Sequence, residues 1–139
     1  MLTIGLPSTG GMTQIDLKGI EGQTMEQKWK NGVYTQLGIA VAGFPNLFFC
    51  YGPQAPTAFA TGPSHAEHQG SFIVNTLKYM REHDYKTVDA THEAEKAYKE
   101  ELEEIAYKGL FSQADSWLVD MLKLHRTFGS FFADIRLRS

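Results

Sequence analysis

The sequence contains one cysteine, Cys50, so no internal disulfide can form and packing alone must hold the chain. It has no excess of positive charge. Lys and Arg number 13 against 16 Asp and Glu, a formal net charge of −3, which leaves no electrostatic case for nucleic acid or an anionic membrane. No apolar run approaches the length of a membrane span. Residues Met1 to Pro7 lack a basic flank and a long apolar core, so no secretory leader is expected and a cytoplasmic location is. Metal ligands are sparse as well. His65 and His68 stand three apart, but no acidic or cysteine partner follows at ligand spacing, so no metal site is expected. Cys50 has no paired base and sits in an apolar run, which suits a small buried side chain better than a nucleophile.

What is present is one domain's worth of chain, 139 residues of which 42% are hydrophobic, enough for a modest core. The informative stretch runs from Gly43 to Gly62. It opens on a turn, Gly43-Phe44-Pro45-Asn46, and continues as a short apolar run, Leu47 to Tyr51, read as a buried strand. The run breaks at Gly52-Pro53 into a loop. Prolines at 53, 56 and 63 restrict its conformations, which lowers the entropy of holding one shape. Small residues, Ala55, Thr57, Ala58, Ala60 and Thr61, leave space for a planar ring. On composition alone a proline-ordered surface loop without a ligand is the commoner outcome.

Around this stretch the pattern is mixed. Gln14 to Gly19 alternates and reads as a strand, Glu21 to Trp29 as a short helix with Trp29 in the core, and Leu37 to Val41 as a second extended piece. Ser64 and Glu67 form a capping box after Pro63. The helix they start presents Ala66, Gly70, Ile73, Leu77 and Met80 as one buried face and reaches about His83. Asp84 to Asp89 reads as a linker. Thr91 to Lys108 reads as a charged helix with Ala94, Tyr98, Leu102 and Ile105 inward and its glutamates in solvent. Gly109 can end it, and Ser112 with Asp115 can cap a third helix. The tail, with Phe128, Phe131, Phe132 and Ile135, suits either an amphipathic helix covering a bare surface or a segment with no fold of its own. The expected class is an α+β fragment, with short strands in the N-terminal half followed by two or three amphipathic helices.

The wording of the central stretch resembles the C-terminal part of the flavin-dependent Baeyer–Villiger monooxygenases, the branch of cyclohexanone and phenylacetone monooxygenases. The matching residues are Gly43-Phe44-Pro45-Asn46-Leu47-Phe48-Phe49, Gly52-Pro53, Pro56, Ser64 and Glu67. The resemblance runs from 11 to 117, ending at Ser116-Trp117, between a divergent segment, 1–10, and a divergent tail, 118–139. It implies that the short strands complete the sheet of an FAD-binding domain. It also implies a loop beside the flavin ring, with Gly52, Pro53 and Gly62 toward the cofactor and Thr57, Ala58 and Phe59 shaping the ketone pocket. FAD and NADPH are the implied cofactors, and oxygen insertion into a small ketone, giving an ester or lactone, is the implied reaction. No catalytic residue is assigned. The chain lacks the Gly-x-Gly-x-x-Gly turns that bind dinucleotides, and lacks a segment matching the one that carries the family's catalytic arginine. The resemblance therefore implies a truncated piece, inactive by itself. The alternatives are a non-enzymatic module docking on a full-length relative, and a small protein binding an apolar ligand.

Overall fold

A computed structural model of the chain describes residues 14–55, 61–108 and 135–139. In chain order these form α1 (Met25–Lys28), α2 (Gly62–Glu82), β1 (Thr87–Ala90), α3 (His92–Lys108) and β2 (Ile135–Arg138). The α+β class holds. The strands, however, lie in the second half of the chain. β1 and β2 pair antiparallel, with Val88 opposite Leu137 and Asp89 opposite Arg136. The segment read as a linker, 84–89, thus supplies most of β1, an element four residues long whose partner lies far along the sequence. Too few residues alternate there for the pattern to show.

In the N-terminal half the expected strands are corrected. Gln14 to Gly19 contributes one isolated bridge, Lys18 to Thr24, and the segment 37–41 belongs to a tight reversal closed by a bridge from Gln36 to Ala40. Leu37 and Gly38 both adopt positive φ there, 55° and 65°. A run of two such residues turns the chain and cannot extend it. Leu47 to Tyr51 is not a strand: 47–49 form no regular element and the chain bends at Cys50 and Tyr51. It has one hydrogen bond to the reversal, from the Phe49 amide to the Ile39 carbonyl at 2.7 Å, and Tyr51 itself turns at φ 65°.

The helices form where local chemistry favours them. Thr24 and Gln27 make a reciprocal capping box at the start of α1. The α2 helix begins two residues before the expected Ser64, at Gly62. Pro63 has no amide to lose in a first turn, so the helix runs through it. Thr61 takes the cap position and bonds the Ser64 hydroxyl at 2.9 Å. The buried stripe of α2 is Gln69, Thr76 and Met80, with Ile73 half-buried. The expected stripe is rotated: Leu77 is 47% exposed, and Val74 48%. A polar residue, Gln69, sets the rotation because its side chain holds the Tyr51 amide. In α3 the reading of Ala94, Tyr98 and Leu102 as inward residues holds, and Thr91 caps the helix through the Ala94 amide. The expected third helix at 112–115 lies outside the described residues.

Apart from a small cluster of Ala40, Ala42 and Ala90, two apolar clusters make the core of the described residues. Met25, Trp29, Val41, Phe44 and Phe49 form one, confirming Trp29 as a core residue. Leu37, Ile39, Tyr98 and Leu102 form the other, with Phe72, Ile73 and Ile135 against it. The irregular segment 35–44 feeds both clusters. Cys50 is a correction: it is exposed, with its thiol 3.2 Å from the Ala66 carbonyl.

Candidate functional site

The Gly52–Ala55 turn follows the 47–51 segment and precedes α2. Its backbone is sharply bent, with Gln54 at φ 62°. The Ala55 amide closes the turn onto the Gly52 carbonyl at 3.1 Å. Gln54 ties it down from inside. Its Oε1 accepts from the Thr35 amide at 3.0 Å and the Thr35 hydroxyl at 2.8 Å, and its Nε2 donates to the Val33 carbonyl at 3.1 Å. The Gln54 carbonyl accepts from the Tyr98 hydroxyl at 2.9 Å, which joins the turn to α3. Burial, and secondarily the Glu101 carboxylate, raise the Tyr98 phenol above its ordinary pKa, so it remains a donor.

A second network fixes the turn at 42–46. Glu95 accepts from the Ala42 amide and from the Lys28 ammonium, each at 2.8 Å, in an ion pair almost closed to solvent. Burial still raises the Glu95 pKa, against the opposing pull of Lys28 and the Ala42 amide. Asp89 accepts from the Gly43 amide at 3.0 Å, and burial raises its pKa as well. Asn46, at φ 60°, bonds the backbone of β1 with amide and side chain. Sequence reasoning missed both acids, because Glu95 reads as one more charge on a charged helix and Asp89 as part of a linker.

Of the residues the sequence singled out, Gly52, Pro53 and Gly62 are described, whereas Thr57, Ala58 and Phe59 lie outside the described residues. Gly52 is required by packing. A Cβ there would sit 2.4 Å from the Phe49 Cβ and 2.6 Å from the Gly38 carbonyl oxygen. That side of the turn has no space for a ligand, while Gly52 and Pro53 remain half-exposed. A Cβ at Gly62 would meet the Tyr51 ring at 3.7 Å, an ordinary contact. The turn is thus closed on its Gly38–Phe49 side and half-exposed at Gly52 and Pro53. It does not fit a pyrophosphate, since the chain has no glycine-rich phosphate turn. No group of three or more metal-ligating side chains occurs among the described residues, His65 and His68 included. A groove of about 250 Å³ lies elsewhere, between Leu17–Ile20 and Phe44–Leu47; Lys18 is its one ionisable lining residue, so it holds no acid–base pair.

No family model matches the chain. Individual relatives do. Over 109 residues it is 41% identical to the cyclopentanone 1,2-monooxygenase of Comamonas sp. (strain NCIMB 9872), covering 78% of this chain and 20% of that one. It is 37% identical over 109 residues to a Baeyer–Villiger monooxygenase of Pseudooceanicola batsensis, with the same coverage of both chains. Among solved structures, that of OTEMO in complex with FAD and NADP aligns with a TM-score of 0.71 at 25% identity, over 82% of this chain and 21% of the other. The chain spans about one-fifth of the length of the relatives it matches.

Proposed function

We propose that this chain, whose sequence and fold match one-fifth of a Baeyer–Villiger monooxygenase, supplies one wall of an FAD and ketone pocket. The observation that carries the reading is the 41% identity with a cyclopentanone monooxygenase over most of the chain. The fixed Gly52–Ala55 turn supports it, because a wall must hold its shape before a ring can stack on it. In this reading Gly52, Pro53 and Gly62 face the flavin, and Thr57, Ala58 and Phe59 shape the space for a small ketone. FAD and NADPH, when bound, supply the oxygen-transfer chemistry. The residues of this chain orient the ring and exclude water. The phosphate turns and the cationic group must come from other residues, so the 139-residue chain alone does not turn over ketones. No helix among the described residues is long and apolar enough to cross a membrane.

A second reading is a docking module that binds a full-length relative. The exposed apolar side chains Val74 and Leu77 on α2, together with Ile15 and Ile20, favour it.

The purified chain is titrated with FAD, followed by flavin fluorescence and circular dichroism. It is then co-expressed with the nucleotide-binding remainder of the Comamonas enzyme and supplied with NADPH and cyclopentanone. The expected result is no turnover from the chain alone and lactone formation from the assembled pair. Co-purification with the intact Comamonas enzyme, with no lactone from the pair, selects the docking module. A folded chain that binds neither FAD nor either polypeptide overturns both readings and leaves a small apolar-ligand binder.

A further inference from the structure

We propose that Thr35 and Tyr98 are positioning residues that set the Gly52–Pro53 turn from outside the loop, acting through Gln54 within it, with Tyr98 on α3 as the outermost anchor. The proposal rests on the reading of that turn as cofactor-facing. Its physical basis is the cost of the conformation. Gln54 is a non-glycine residue at φ 62°, a backbone region such residues rarely occupy unless their surroundings hold them there. Three residues from two segments, 33–35 and α3, do so. Thr35, fully buried, fills both acceptor positions of the Gln54 side-chain oxygen and uses its own hydroxyl to accept from the Gly38 amide at 3.1 Å. Val33 takes the Gln54 amide group. Tyr98, 2% exposed, donates to the Gln54 carbonyl from 44 residues away.

The Tyr98 hydroxyl is the informative group. The ring lies in the apolar cluster with Leu37, Ile39 and Leu102, where a phenylalanine would fill the same space. A buried hydroxyl is costly unless it finds a partner. Here the partner is the strained residue next to Pro53. The raised pKa of the phenol keeps its proton in place for that bond. None of the three residues is catalytic. They act on the wall and leave the reacting atoms to other groups.

The test uses Tyr98→Phe and Thr35→Val in the full chain, with Thr35→Ser as the conservative rescue. Native-state hydrogen exchange is read at the Ala55 amide, bonded to Gly52, and at the Trp29 amide, bonded to Met25 in α1. In Tyr98→Phe and Thr35→Val, exchange at Ala55 rises about tenfold, the size expected for one lost hydrogen bond, while Trp29 is unchanged. Thr35→Ser stays at the wild-type rate. Equal acceleration at both amides, or none at Ala55, overturns the clamp.

The second arm assembles wild type and Tyr98→Phe with the nucleotide-binding remainder of the Comamonas enzyme. The flavin absorbance spectrum and the KM and kcat for cyclopentanone are compared. The expected result is a shifted spectrum and a raised KM at equal flavin content. Identical spectra and KM, with accelerated exchange at Ala55, overturn the positioning role while leaving the wall reading intact. A wild-type assembly that takes up no FAD overturns the wall reading and the positioning role together, and the exchange arm then shows whether the clamp exists without a cofactor to serve.

Discussion

The segment 35–42 and the helix α2 divide labour in opposite ways. Eight consecutive residues, 35 to 42, are buried although they form no regular element beyond one bridge. The α2 helix is 21 residues long, yet only Gln69, Thr76 and Met80 are buried on it, and two of these are polar. A helix satisfies its own backbone and can lie on the surface with little help. A buried irregular segment cannot, because each unpaired amide or carbonyl costs free energy. Its partners come from side chains elsewhere: Gln54 for Thr35, Glu95 for Ala42, Asp89 for Gly43. The regular element is therefore replaceable piece by piece. The irregular one depends on a few distant polar groups.

Removing one of those groups is expected to have the largest effect. Glu95→Ala leaves the Lys28 ammonium buried without its carboxylate and the Ala42 amide without an acceptor. The expected loss is about 3–5 kcal/mol, read as a fall in the urea midpoint. A loss near zero would mean that the segment is held by packing alone. The wild-type pH profile sharpens the point. Burial raises the folded pKa of both Glu95 and Asp89 above the unfolded values. The folded state then takes up protons first, so the contribution of these two groups to stability is greatest below the unfolded carboxylate range and is lost as pH rises through the folded values. Glu95→Ala flattens part of that slope and leaves the share of Asp89, as paired pH titrations of the urea midpoint will report.

Glycine substitutions test the same contrast with smaller effects. Gly52→Ala forces a methyl against the Phe49 Cβ and the Gly38 carbonyl, neither of which can swing aside. Overpacking of this kind costs about 1–3 kcal/mol, visible as a lowered melting temperature. Gly70, inside α2, has nothing within 4 Å of an added Cβ. Gly70→Ala should raise stability by about 0.5–1 kcal/mol, since alanine loses less backbone freedom in a helix. If both substitutions shifted the melt in the same direction, the division between the two regions would fail.

Much of the helical architecture was legible from local pattern. A short helix within 21–29, the inward stripe of α3 and the end of α2 near His83 all follow from spacing and end chemistry. Strands were not legible. The apolar run 47–51 has strand composition, yet a positive φ at Tyr51 and a single bond to Ile39 leave it unpaired as a ladder. β1 hid in a charged, short segment because its pairing with β2 joins residues about a third of the chain apart. At the candidate site, Gly52 and Pro53 stood out by type. Thr35, Gln54, Tyr98 and Glu95 did not, because nothing in a lone polar residue announces a partner far along the chain.

By itself, then, the sequence determined the helices, the family resemblance and the exclusion of disulfides and a basic nucleic-acid face. These depend on residue types at short spacing or on counts. Tertiary structure decided which face of α2 turned inward, where the two strands paired, and which polar side chains fixed the irregular core. Those outcomes rest on hydrogen bonds and packing between residues that are distant in sequence. The energy of such contacts exists only once the chain has closed around them.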